Sequence, residues 1–86
     1  MLGKPDTDDL AVAFGRVLRQ YRLSAGLSQE KLALEAGLQR NYISLLELGQ
    51  NQPTITTLFK LAVVLDIEPE QIVEAVRIEA EAEQSP

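Results

Sequence analysis

Apolar residues recur along this chain at the three- and four-residue spacing of α-helices, and no segment alternates as a β-strand would. Segments with that spacing predict five helices, over residues 7–25, 29–36, 39–48, 55–65 and 69–80. We therefore predict one all-α domain over residues 7–80, between a flexible tail at 1–6 and a flexible acidic tail at 81–86.

Residues that favour helix ends stand at the predicted boundaries. The hydroxyls of Thr7, Ser28 and Thr54 can each accept a hydrogen bond from the first turn of a helix. Pro69 fits the first position of the last helix, where its missing N–H would have no partner. The fourth helix is built on the apolar residues Ile55, Leu58, Phe59, Leu61, Ala62 and Leu65.

The segment from Gln29 to Leu46 has the spacing of two short helices that cross at a steep angle. Ala33 is small enough to lie where two helices cross, and Gly37 stands at a turn that requires a positive φ. Ile43 and Leu46 direct one face of the second helix inward. Together these residues predict a helix-turn-helix.

The opposite face of that second helix is polar, with Gln39, Arg40, Asn41 and Ser44 near its start. Arginine can bond guanine bidentately, and asparagine or glutamine can bond adenine in the same way. A major-groove reader needs several such side chains on one helix. We therefore predict that residues 39–48 form a recognition helix whose four polar side chains contact base edges. A merely solvated face is the alternative.

Other polar residues near this helix are predicted to contact DNA phosphates. Gln29 begins the preceding helix, where unpaired backbone N–H groups and the positive end of the helix dipole favour a phosphate. Asn51 and Gln52 follow in a polar loop, and Arg22 lies on the first helix. Tyr42 has two interpretations, since its ring can pack at the core edge or its hydroxyl can reach a phosphate.

The charge distribution changes the expected mode of binding. The 86-residue chain has a formal net charge of −5, which opposes non-specific attraction to phosphates. Residues 10–65, however, carry six basic and three acidic side chains, whereas residues 66–86 carry one basic and seven acidic side chains. We expect weak non-specific affinity and a greater reliance on specific contacts.

Missing residue types argue against several classes of chemistry. The chain has no Cys and no His, so it lacks a disulfide, a thiol nucleophile and the commonest metal ligand and general base. We expect no enzymatic activity, no cofactor and no small-molecule ligand. The longest apolar run, 61–65, is too short to cross a bilayer, so a cytoplasmic protein without membrane contact is expected.

The last predicted helix leaves two alternatives open. Ile72, Val73 and Val76 share one stripe and can complete the core of a single chain. Together with Leu65 and Ile67, part of that stripe can instead form a self-complementary patch between two copies. We favour the homodimer, because a dimer presents two recognition helices about 34 Å apart on one face of the duplex.

A longer set of residues between Phe14 and Val73 forms a recognisable pattern. Its members are Leu18, Arg19, Arg22, residues 26–30, Leu32, Ala33, Ala36, Gly37, Ile43, Ser44, Glu47, Gly49, Pro53, Thr54, Leu58, Leu61 and Ala62. This pattern resembles the Cro/C1-type (XRE-type) helix-turn-helix family. The resemblance implies a compact five-helix, lambda-repressor-like DNA-binding domain. Residues 40–44 are further similar to the recognition helix of restriction-modification controller proteins, which implies a homodimer bound to operator DNA.

One position departs from the family that the chain resembles. Many members have a basic residue after the glutamate of the third helix, where this chain has Leu48 after Glu47. We expect Glu47 to bond backbone N–H groups or Arg22 instead.

Two hypotheses follow for the function. The leading one is a sequence-specific transcriptional regulator that binds palindromic double-stranded DNA as a homodimer. The alternative is a protein-interaction module, such as an antitoxin or an accessory subunit, whose acidic C-terminal segment engages a partner.

Overall fold

The computed structural model describes residues 7–84, and these residues form five helices and no strand. The helices are α1 (Thr7–Ser24), α2 (Gln29–Ala36), α3 (Arg40–Glu47), α4 (Ile55–Leu65) and α5 (Pro69–Gln84). The predicted all-α, five-helix class is confirmed. The segment 1–6 and residues 85–86 of the predicted tails lie outside the described residues. No helix within residues 7–84 is long and apolar enough to cross a membrane.

Side-chain caps begin two of the helices where they were predicted. The Ser28 hydroxyl accepts a hydrogen bond from the backbone N–H of Lys31 at 3.0 Å and thereby begins α2. The Thr54 hydroxyl accepts one from the N–H of Thr57 at 3.0 Å and begins α4. Thr7 differs from the prediction, because it is the first residue inside α1 rather than the cap before it.

The last helix extends further than the sequence predicted. Residues 81–84, expected to belong to a flexible tail, continue α5 to Gln84. Ala80 is fully buried, and Arg77 donates to Glu81 one turn later at 3.2 Å. Glu79 also lies 3.7 Å from Arg16 of α1. The pair of Arg77 with Glu81 stabilises the end of α5 from within, whereas the pair of Glu79 with Arg16 and the buried Ala80 connect α5 to the rest of the fold.

The core lies between the five helices, which contribute buried side chains to it from every element. α1 packs along α5 and crosses α3, while α2 contacts both α3 and α4. The largest fully buried side chains come from all five helices: Leu18, Leu32, Ile43, Leu46, Leu61 and Ile72. The helix-turn-helix is therefore fixed from behind by α1 and α4.

A glycine in the middle of α1 permits a close crossing with α3. A Cβ atom added to Gly15 would lie 2.5 Å from the Leu46 carbonyl oxygen and 2.6 Å from that of Glu47. Real Cβ atoms do not approach backbone oxygens this closely, so only glycine fits. The end of α3 consequently lies directly against the α1 backbone.

Candidate nucleic-acid interface

The turn between α2 and α3 has the backbone geometry that the sequence predicted. Gly37 adopts a left-handed conformation with φ of 68°, which ends α2. The N–H of Leu38 then donates to the carbonyl of Ala33 at 2.8 Å. Ala33 is buried at the contact between the helices. This turn directs α3 across α2 and brings the starts of both helices to one surface.

The two faces of α3 differ completely in burial. Ile43 and Leu46 are fully buried in the core. On the opposite face Arg40 and Asn41 are exposed and Ser44 is partly exposed. The recognition helix predicted over residues 39–48 is slightly shorter, since Gln39 is its N-cap and Leu48 its C-cap.

A polar cleft of about 210 Å³ lies between the starts of α2 and α3. Its lining residues are Gln29, Arg40, Asn41 and Ser44. The structure thus brings together three of the four residues predicted to read bases and one predicted to contact phosphate. Gln39 is exposed at the helix start but does not line the cleft. Among the described residues, no group of three or more acidic side chains is placed to hold a metal ion.

A buried ion pair lies directly behind this cleft and connects α1, α2 and α3. Arg22 donates through Nε and Nη2 to the two carboxylate oxygens of Glu47, at 2.6 and 3.0 Å. Their side chains are only 9% and 4% exposed. The hydrogen bond to Glu47 raises the pKa of Arg22, while burial opposes this rise. Gln29 completes the network, because its Nε2 donates to Glu47 Oε1 at 3.1 Å.

This network changes the interpretation of Arg22. Besides its bonds to Glu47, Arg22 donates through Nη1 to the Leu27 carbonyl at 2.9 Å. A guanidinium held inward at three nitrogen atoms is poorly placed to reach a DNA phosphate. Arg22 therefore serves to join the helices. Of the two partners expected for Glu47, Arg22 is the one present.

The side chain of Tyr42 extends from α3 to α4. Its ring packs against the core cluster, which is the first of its two predicted interpretations. Its hydroxyl lies 3.4 Å from the Thr57 hydroxyl, which in turn lies 3.0 Å from that of Thr54. The phosphate contact of Tyr42 stays a prediction, and so do those of Asn51 and Gln52, which are exposed in the loop after α3.

The five residues predicted at a dimer interface divide between the core and the surface. Leu65 and Ile72 are buried in the core of the single chain, which leaves them little surface for a partner. Ile67 and Val76 are partly buried against that core. Of these five residues, only Val73 has an exposed side chain. Leu65 and Ile72 thus complete the core of the single chain, as the first alternative predicts, while the contact between two copies stays a prediction.

An exposed apolar stripe on α4 was missed by the sequence analysis. Ile55, Phe59 and Val63 follow one another at four-residue spacing and are 70%, 57% and 80% exposed. An apolar groove of about 420 Å³ borders α4 at Leu58 and α5 at Val73. The four-residue spacing within α4 is the available signal, but the apolar pattern of this helix does not separate its exposed residues from its buried ones.

Comparison with protein families finds the same motif. A model of the helix-turn-helix family HTH_3 matches residues 18–72. The chain is also similar to the control protein C.BamHI of Bacillus amyloliquefaciens, with 36% identity over 69 residues. That match covers 79% of this chain and 85% of the relative.

Solved structures share both sequence and fold with this chain. The restriction-modification controller protein C.AhdI from Aeromonas hydrophila has 45% identity and a TM-score of 0.70, over 72% of this chain and 94% of that one. SinR, a master regulator for biofilm formation solved in complex with DNA, has 34% identity and a TM-score of 0.66. The SinR match covers 70% of this chain and 97% of that one.

Proposed function

The chain belongs to the helix-turn-helix (HTH_3) family of DNA-binding transcriptional regulators, and on this premise we propose that it binds a palindromic operator as a homodimer. α3 enters the major groove, and the start of α2 lies against the adjacent phosphates. The similarity to C.BamHI and C.AhdI supports a role in controlling restriction-modification genes.

The polar cleft between α2 and α3 is the observation that carries this proposal. Arg40 and Asn41 project from the first turn of α3, where a helix in the major groove contacts base edges. Gln29 stands beside them at the start of α2, where phosphates bind favourably. Because Ile43 and Leu46 fix the helix from behind, the polar side chains project from a rigid support.

The exposed apolar face of α4 supports the second part of the proposal, the homodimer. Ile55, Phe59 and Val63 follow one another at four-residue spacing on α4, and each is more than half exposed. A two-fold axis beside α4 would cover this stripe with its own copy, as isologous interfaces do. The groove between Leu58 of α4 and Val73 of α5 adds a second apolar surface that a partner can cover.

Selection of bound sequences from a random DNA pool tests the recognition. We expect enrichment of a palindrome whose half-sites are about one helical turn apart. Arg40→Ala should cost about 1–3 kcal/mol and relax the preference at one base pair. Arg19→Ala, which removes an exposed arginine from α1, is the matched control and should retain the preference. Absence of any enriched sequence would contradict the proposal.

Sedimentation equilibrium tests the dimer surface. Phe59→Glu places a charge on the apolar α4 stripe, and we expect it to shift the protein from dimer to monomer. Leu34→Glu changes an apolar side chain on α2 that is 73% exposed, against 57% for Phe59, and it should leave the mass unchanged. A monomeric wild type, or a dimer insensitive to Phe59→Glu, would reject this interface.

A further inference from the structure

Glu47 lies behind the recognition surface and not on it. Its side chain is 4% exposed, so DNA cannot reach it directly. Its Oε1 atom nevertheless accepts two hydrogen bonds, from Arg22 Nη2 at 3.0 Å and from Gln29 Nε2 at 3.1 Å. One carboxylate oxygen therefore links a buried cation to a side chain that lines the polar cleft.

The chemistry of this bond fixes which way the Gln29 amide points. An ionised carboxylate only accepts hydrogen bonds, so it selects the NH₂ group of Gln29 and turns the amide oxygen away. Arg22 supplies the countercharge of this buried carboxylate through its two hydrogen bonds to Glu47. The amide oxygen and the second N–H of Gln29 thus remain for groups at the cleft.

We propose that Glu47 is a positioning residue for DNA recognition, which acts by holding the Gln29 amide in one orientation at the mouth of the cleft. In this orientation the remaining N–H of Gln29 is available to a phosphate oxygen, and its amide oxygen is available to donors on α3, such as Arg40 or Asn41. This inference rests on the proposed DNA-binding function.

A double-mutant cycle measures whether Glu47 acts through Gln29. Glu47→Gln keeps the shape of the side chain but removes its charge, so it no longer selects one orientation of the amide. We expect it to weaken binding to the selected operator about five- to tenfold. In a Gln29→Ala background the same change should alter binding less than about twofold. Glu35→Gln, an equal charge change on the exposed surface of α2, is the control.

An equal loss of affinity in both backgrounds would overturn the inference, because Glu47 would then act through the fold alone. If Glu47→Gln does not fold, Arg22→Met combined with Glu47→Met replaces the pair by an apolar one that such sites often tolerate. That double variant should fold and still show the loss of affinity, and its binding should be insensitive to Gln29→Ala. A folded double variant with unchanged affinity would likewise reject Glu47 as a positioning residue.

The side-chain amide signals of Gln29 in the free protein separate this inference from the proposed function. We expect the Gln29 NH₂ protons of the wild type to exchange more slowly with water than those of the exposed Gln20, and to lose this difference in Glu47→Gln. Equal exchange at both glutamines in the wild type would reject the positioning even if operator binding is found. Slow exchange without any operator binding would reject the proposed function and leave the held orientation established.

Discussion

α3 and α4 follow each other in the chain, yet their outward faces differ in kind. On α3 the residues opposite the core are polar, and Arg40 and Asn41 border a cleft that also includes Gln29. On α4 the corresponding outward residues, Ile55 and Phe59 among them, are apolar and exposed. A polar face needs no cover in water, whereas an apolar stripe of this kind gains free energy when a second surface covers it.

The difference also extends to what lies behind each face. Behind α3 a buried ion pair between Arg22 and Glu47 connects the helix to α1, and Gln29 adds α2 to the network. Behind α4 no ion pair is present among the described residues: Leu61 and Ala62 pack in the apolar core, and Thr57 adds a neutral hydroxyl contact with Tyr42. The recognition side therefore depends on directional bonds with fixed geometry, while the α4 side depends on burial, which sets no orientation.

Arg22→Met is the change with the largest expected effect, because it breaks the support of α3 and not that of α4. It leaves the Glu47 carboxylate buried without a countercharge, and we expect a loss of about 3–5 kcal/mol in the free energy of unfolding. Urea denaturation measures this loss. Arg77→Met is the matched control, since the ion pairs of Arg77 with Glu74 and Glu81 are largely exposed and should contribute less than about 1 kcal/mol. Similar losses in both variants would show that burial of the Arg22 pair is unimportant.

Gly15→Ala tests the second support of α3, the close crossing with α1. The added methyl group would meet the carbonyl oxygens of Leu46 and Glu47 and force the helices apart. We expect a loss of about 1–3 kcal/mol, although alanine is otherwise the better helix former. Thermal unfolding gives the sign directly. A stabilised variant would mean that the crossing can widen without cost.

The difference between α3 and α4 also explains why the buried face of one helix could be predicted from the sequence and that of the other could not. The helix-turn-helix could be predicted because the positions of Ile43 and Leu46 define one apolar stripe on α3, which indicates the buried face of the helix. α4 is apolar around most of its circumference, and periodicity cannot tell a core residue from an exposed one there. For this reason the sequence places Phe59 in the apolar pattern of the helix beside Leu61 and Ala62 and does not show that Phe59 is more than half exposed.

Contacts between distant segments were the other limit of prediction. Arg22 is one of two partners that the sequence predicts for Glu47, 25 residues away, and only the crossing of α1 with α3 shows that this pairing is the one that forms. In the sequence, Gly15 is only a poor helix former inside a predicted helix, and nothing indicates that another helix approaches it closely. At the cleft, the fold brings Arg40, Asn41 and Ser44 together and shows that Gln39 lies outside the lining, which the sequence pattern could not distinguish.

Thr54→Ala examines the start of α4, where the structure has a side-chain cap. The Thr54 hydroxyl accepts the N–H of Thr57 and also lies 3.0 Å from the Thr57 hydroxyl. Its removal should lower the free energy of unfolding by about 1 kcal/mol. Thr56→Ala, at an exposed position in the first turn of the same helix, is the control. Chemical denaturation should show that its free energy of unfolding changes by less than about 0.5 kcal/mol.

Gln39→Ser adds a capping side chain at the start of α3, whereas Thr54→Ala removes one from α4. We therefore expect Gln39→Ser to stabilise the fold. Gln39 has the extended backbone of an N-cap, with φ of −87° and ψ of 143°, but its side chain makes no capping bond. A serine there can accept an N–H of the first turn, which should raise the free energy of unfolding by about 0.5–1 kcal/mol. If Gln39 contacts a base, operator affinity should fall in the same variant. A gain in stability with unchanged affinity would remove Gln39 from the recognition residues, whereas a gain accompanied by weaker binding would show that α3 forgoes a cap in order to contact DNA.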